Sequence, residues 1–161
     1  HCITRKYHGL PPQPAKFFKN IHRFILSKNL GVIVLAKYKS KSIAGNIYFN
    51  LGQKAYYKYG ALDRNYQQLR ASNLVMWEGI KHFAQQSYKS LCFGRTDMND
   101  MGLCQYKKGW GAESRLITYF KYDLIHDEFM KISPTTSVQI GRYLPLCLLK
   151  PAGAFLYKHM G

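Results

Sequence analysis

The sequence predicts an α+β domain in which a mixed, mostly antiparallel sheet is flanked by helices. Three observations point there. Three consecutive segments, Val32–Tyr38, Ile43–Leu51 and Ala55–Tyr59, have strand composition or alternation, and only short turns separate them. Apolar residues recur at helical spacing before that run, at 17–25, and after it, at 73–88. The chain has 161 residues, 47% of them hydrophobic, which suffices for the core of one domain.

Taken in order, residues 1–13 read as a basic loop, because the prolines at 11, 12 and 14 lack N–H donors. Pro14 is placed to open a helix whose stripe is Phe17, Phe18, Ile21, Phe24 and Ile25, with Gly31 as its stop. The meander follows, turning at Lys39-Ser40-Lys41 and at Gly52-Gln53, the latter a Gly-X hairpin turn. Residues 60–72 are polar loop. The next helix runs from about Asn73 to Tyr88, with Leu74, Trp77, Ile80, Phe83 and Ala84 as its apolar stripe. Ser90–Phe93 reads as a short buried strand, with Cys92 in the core. A glycine-punctuated segment holds a short helix between Asp100 and Lys108, and Arg115–Tyr122 alternates as a last strand. Ser133-Pro134-Thr135-Thr136 is a break. The expected division is a domain over 1–130 and a basic, apolar segment over 131–161.

Lys and Arg number 24 against 8 Asp and Glu, a net charge of +16. Such an excess attracts polyanions and speeds their encounter, so an anionic substrate or partner is expected: tRNA, a phosphate-bearing cofactor, an acidic polysaccharide or an anionic membrane face. No apolar run reaches the roughly 20 residues of a membrane helix. Leu144, Leu146, Leu148, Leu149, Phe155 and Leu156 beside Arg142, Lys150 and Lys158 make residues 138–160 either a peripheral membrane contact or a packing segment. The four cysteines have no C-x-x-C spacing, which argues against a zinc site and fits a reducing, cytoplasmic compartment. No signal-peptide pattern is present at the start, and the chain opens at His1, so the natural protein is expected to extend further.

The specific signal is local. Phe93-Gly94-Arg95-Thr96-Asp97 is followed by Gly102-Leu103 and by Tyr106-Lys107-Lys108-Gly109-Trp110-Gly111. Ahead of these stand Tyr7-His8-Gly9-Leu10-Pro11, Tyr57-Lys58-Tyr59-Gly60-Ala61 and Asn73-Leu74-Val75-Met76-Trp77; behind them stands Arg142-Tyr143-Leu144-Pro145-Leu146. Together these resemble the F-G-R-[ST], F-K-x-x-[WF]-G, G-L-P and Y-x-Y-G elements of FemAB-like proteins in the GNAT superfamily. The branch they resemble is the one linked to exosortase and exopolysaccharide systems. The resemblance implies a GNAT-like fold forming the carboxyl-terminal half of a bilobal protein, with an amino-terminal GNAT-like half as partner. It also implies amide formation on an amine of a cell-envelope precursor or exopolysaccharide, at the inner face of the membrane. The donor would be aminoacyl-tRNA, acyl-CoA or acyl carrier protein. Where an acetyl-CoA enzyme of that superfamily has a glycine-bearing pyrophosphate loop, this chain has Tyr66-Gln67-Gln68-Leu69-Arg70-Ala71-Ser72-Asn73, with no glycine.

The resemblance makes Lys107 the family's lysine, able to hold an anionic group or to steady charge on a carbonyl oxygen. A solvated lysine at a helix C-terminus is the structural alternative. Asp97 is the candidate general base, or else the cap of the helix that follows. Arg95 suits phosphate or carboxylate recognition, or pairs with Asp97 or Glu113. Tyr59, Trp77, Tyr106 and Trp110 are candidates to line the substrate cleft, and aromatic residues at such positions also build cores. The competing reading is a non-catalytic domain that keeps the fold and binds an anionic partner.

Overall fold

The structure is a computed structural model; it describes residues 1–130 and 142–157. It divides into two compact units, His1–Arg95 with Gln139–Gly161, and Thr96–Val138. The larger unit is a four-stranded mixed sheet between helices. Strands β1 (Gly31–Tyr38), β2 (Lys41–Leu51) and β3 (Lys54–Leu62) form the expected antiparallel meander, and β4 (Ser90–Cys92) joins β3 in parallel, giving the order β1-β2-β3-β4.

Helix α3 (Ala71–Gln85) connects β3 to β4 and packs on one face of the sheet. The core beneath it is Ala36, Ile43, Ala44, Ala71 and Val75. Tyr48 projects from β2 into a notch that Gly79 leaves in α3; a Cβ at 79 would collide with the Tyr48 ring. Buried Asn46 donates its Nδ2 to the Tyr48 hydroxyl at 2.9 Å, and that hydroxyl donates to the Val75 carbonyl at 3.1 Å. Strand and helix are thus tied by a polar chain inside an apolar contact.

That notch corrects the expected stripe of α3. Leu74 and Trp77 are about half exposed, at 52% and 48%, and Ala84 is exposed, whereas Val75, Met76 and Gly79 are buried together with Phe83 of the expected stripe. The helix turns Gly79 to the sheet where Tyr48 fills the space, and Phe83 meets the Tyr48 ring edge-on at 5.5 Å. On α2 (Ala15–Phe24), Ile21 is buried but Phe24 is exposed, under the Arg23 guanidinium.

Other expectations shift too. Residues 2–7, read as loop, form helix α1 (Cys2–Tyr7); the prolines lie beyond it, and Gly9 at φ 70° stops it, with Leu10 N–H donating to Arg5 O at 3.0 Å. Gly31 does not end α2. The helix stops at Phe24, a 3₁₀ turn follows at Leu26–Lys28, and Gly31 opens β1. The polar loop over 60–72 holds the end of β3 and a second 3₁₀ turn, Arg64–Leu69. Strand β4 is not buried, and Cys92 is exposed rather than in the core; with three residues on a sheet edge, β4 has little to cover it. Helix α5 (Leu146–Leu156) includes Pro151. It packs against α1 and the proline loop: Leu149 is buried, Gly153 abuts the Pro12 carbonyl, and Tyr157 Oη accepts from Arg5 Nη2 at 2.9 Å. Leu148 and Phe155 remain exposed. The expected break at 133–136 lies outside the described residues. Among those described, no helix is long and apolar enough to cross a membrane.

In the smaller unit, helix α4 (Met101–Lys108) is where the sequence places it. The expected strand over Arg115–Tyr122 is not formed as such. Residues 112–120 are irregular, and only β5 (Lys121–Asp123) pairs, antiparallel, with β6 (Glu128–Met130). Alternation needs a partner strand to become a ladder, and the partner here is three residues long.

Gly79→Ala is expected to destabilise the larger unit by about 2 kcal/mol through overpacking against Tyr48. Gly102→Ala, where the nearest neighbour of a Cβ is the Asp100 carboxylate at 3.8 Å, should not. Denaturant unfolding of the two variants checks this.

Candidate active site

The larger unit carries a strand whose edge changes character along its length. Only Lys54, Ala55 and Tyr56 of β3 pair with β4. Past Tyr56, β3 runs on to Leu62 paired with β2 alone, and Lys58 bulges out of register opposite Ile47 and Tyr48. At the far end the Leu62 N–H donates to Thr4 Oγ1 at 3.2 Å. Between these points the backbone amides on the β4 side face no strand among the described residues. Such an edge can hydrogen-bond an extended, amide-bearing chain.

Tyr59 lies on this stretch. Its ring meets Phe17, Phe18 and Phe49 edge-on, with centroids 5.9, 5.6 and 6.3 Å away, and His1 stands 6.3 Å off. Burial pushes its phenol pKa up, the nearby Tyr157 phenol adds to the shift, and Arg5 opposes it. The structure therefore places Tyr59 in an aromatic cluster on the face away from α3. Trp77 does not join it; it sits on the outer flank of α3, with Lys81 Nζ 5.9 Å from its ring. Arg95 is exposed, just beyond Gly94 at φ 74°.

The smaller unit holds the remaining candidates. Tyr106 and Trp110 stack edge-to-face at 6.1 Å across the end of α4, and burial pushes the Tyr106 phenol up while Trp110 lowers it. Between them, half-buried Lys107 lies in the last turn; its carbonyl accepts from Trp110 N and Ala112 N at 3.1 and 3.3 Å. A cation there is favoured by the helix C-terminus.

The capping role considered for Asp97 belongs to Asp100. Asp100 is the N-cap of α4, its Oδ1 accepting from Leu103 N at 3.0 Å. Asp97 lies three residues earlier, exposed, its Oδ1 accepting from Asn99 N at 2.9 Å. Sequence reading assigned no role to Thr96, whose hydroxyl is buried with no hydrogen-bond partner among the described residues. Its place inside the Phe93–Asp97 motif was the available signal.

Residues 3–108 match the model of the acetyltransferase (GNAT) domain family. The chain belongs to this family. It is thus an N-acyltransferase domain. Solved structures share the fold. An aminoglycoside acetyltransferase from an uncultured soil metagenomic sample, in complex with sisomicin, is 18% identical with a TM-score of 0.53, over 66% of this chain and 73% of that one. The same enzyme with trehalose gives 16% and 0.54, over 70% and 76%. The aminoglycoside N-acetyltransferase AAC(6')-Iy in complex with CoA gives 10% and 0.51, over 67% and 88%. A comparison with curated proteins found no match.

In this GNAT domain, Asp100→Ala should cost about 1 kcal/mol of α4 stability by removing the cap. Amide exchange across Met101–Lys108 is expected to accelerate in Asp100→Ala and to stay unchanged in Asp97→Asn.

Proposed function

We propose that this GNAT domain forms an amide bond by transferring an acyl or aminoacyl group to an amine on an anionic cell-envelope precursor or exopolysaccharide. The family match over residues 3–108 carries the reading, and the resemblance of Tyr106–Gly111 to the FemAB element gives it its finer form. In the reaction the amine nitrogen attacks the activated carbonyl, the C–N bond forms, and the thioester or ester bond to the donor breaks. Asp97 takes the proton released by the attacking nitrogen, and the Lys107 ammonium steadies the oxyanion. Arg95 recognises an anionic group of the substrate. Tyr106 and Trp110, beside Lys107, supply flat apolar surface to the substrate.

The solved neighbours are aminoglycoside acetyltransferases. A polycationic acceptor of that kind is disfavoured here by the chain's charge of +16. The absence of glycine between Tyr66 and Asn73 favours aminoacyl-tRNA or acyl carrier protein over a plain acetyl-CoA donor. In the second reading the domain binds an anionic partner without chemistry; the same charge supports it.

Single-turnover assays with charged tRNA, acyl carrier protein and acetyl-CoA as donors, each with an amine acceptor, test the first reading. Lys107→Ala is expected to slow transfer about 10²-fold with unfolding unchanged. Undiminished transfer in that variant would remove Lys107 from the site. Salt-sensitive tRNA binding with no transfer from any donor would favour the second reading.

A further inference from the structure

Helix α5 carries one charged side chain, Lys150, in an otherwise apolar sequence. One side of it is settled, since Leu149 and Gly153 are buried where the helix meets α1 and the proline loop. The opposite side holds Leu148, Ala152 and Phe155, whose spacing stacks them in one strip along the helix. Leu148 is 55% and Phe155 65% exposed, and Ala152 is exposed between them. Just ahead of the helix, Tyr143 is 89% exposed. A helix that is apolar on its buried and its outward face belongs inside a protein or in lipid.

Charge decides between the two. No Asp or Glu occurs in residues 1–62 or 129–161, so α1 and α5, which pack on each other, have only cations among their charged side chains: Arg5, Lys6 and Lys150. Arg142 adds another beside α1, its Cζ 5.6 Å from the Tyr7 ring. Asp63, the first carboxylate in the chain, is held by Lys41 at 2.9 Å. A folded protein partner carries both signs and would need carboxylates here to meet its own lysines. A bilayer containing anionic lipid offers one sign over a wide plane, and it takes up apolar side chains at the headgroup boundary without matching their shape. At 1.5 Å per residue α5 is about 16 Å long, half of a hydrocarbon core of roughly 30 Å, so it can lie along the surface and cannot cross.

We propose that α5 is a peripheral membrane contact: Leu148, Ala152 and Phe155 enter the headgroup boundary of an anionic bilayer, Tyr143 sits at its polar edge, and the cations of α1 and α5 draw the domain to it. The contact rests on neither reading of the function, because vesicle binding is measured without turnover.

The test sediments the full chain with vesicles of phosphatidylcholine alone and of phosphatidylcholine mixed equally with phosphatidylglycerol. Binding to the anionic vesicles is expected, weakening as salt is raised, with far less binding to the neutral ones. Leu148→Gln and Phe155→Gln should each lower partition into the anionic vesicles about tenfold, with thermal unfolding unchanged. Leu148→Phe, which keeps the apolar bulk, should bind as the unsubstituted chain does. So should Leu51→Gln, which removes a leucine 73% exposed at the end of β2. The proposal is overturned if neither kind of vesicle binds the chain. It is overturned if both glutamine variants at 148 and 155 bind undiminished, since a merely basic surface then accounts for the attraction. It is overturned equally if the chain self-associates without lipid and Leu148→Gln dissociates it, because a second copy then covers the strip.

Discussion

The seating of Tyr48 against α3 is the contact on which the larger unit depends. The side chain is fully buried, and its hydroxyl has to be paired because an unpaired polar group in a core costs about 1–3 kcal/mol. Asn46 and the Val75 carbonyl meet it. The ring's bulk then requires a residue without a side chain at 79. Shape and hydrogen bonding therefore fix both the rotation and the height of α3 on the sheet. A helix rotated by one residue would bring Leu74 or Trp77 onto the ring and leave the hydroxyl unpaired.

Fixing α3 also fixes where β3 ends and where β4 begins, since the helix connects them. β4 reaches the sheet beside Lys54 and ends after three residues, while β3 continues to Leu62. The end of β3 that faces no further strand among the described residues is what a short β4 and a long β3 leave behind. The Lys58 bulge adds local twist to it. On one face the Tyr57 side chain crosses Gly60; on the other Tyr59 enters the aromatic cluster with Phe17 and Phe18. The two faces of this end of β3 are thus defined by the fold itself.

The meander and α4 were legible because their signals are local: alternation in Ile43–Leu51, turn residues at 39–41 and 52–53, and the glycines that punctuate the segment around α4. The stripe of α3 was not, because it is set by a tyrosine on another strand, and hydrophobicity alone favours Leu74 and Trp77. Helix α1 was obscured by the prolines that follow it, although Gly9 is a helix stop in plain view. The alternation at 115–122 pointed to a strand of which, among the described residues, only Lys121–Asp123 finds a partner, in β6. Of the candidate site, sequence could name Lys107 and Asp97 only through the resemblance. It could not separate Asp97 from Asp100 as the cap, since both precede the helix and only geometry shows whose oxygen reaches Leu103 N.

Charge is distributed as unevenly as it is abundant. Six of the eight carboxylate side chains lie in Thr96–Val138, which carries five Lys and Arg and is close to neutral. The positive excess belongs to the unit with the open β3 edge. Random placement would spread the acids in proportion to length, and a surface charged only for solubility gains nothing by sorting them. The two carboxylates the larger unit does keep each neutralise a lysine, while Arg5, Arg23, Arg64 and Arg142 meet carbonyl, hydroxyl and aromatic partners. Solvent screens such charges beyond about 10 Å at moderate salt, so their effect is strongest on an anion that comes into contact. A unit surrounded in this way by uncompensated cations is suited to contact with a ligand that carries negative charge.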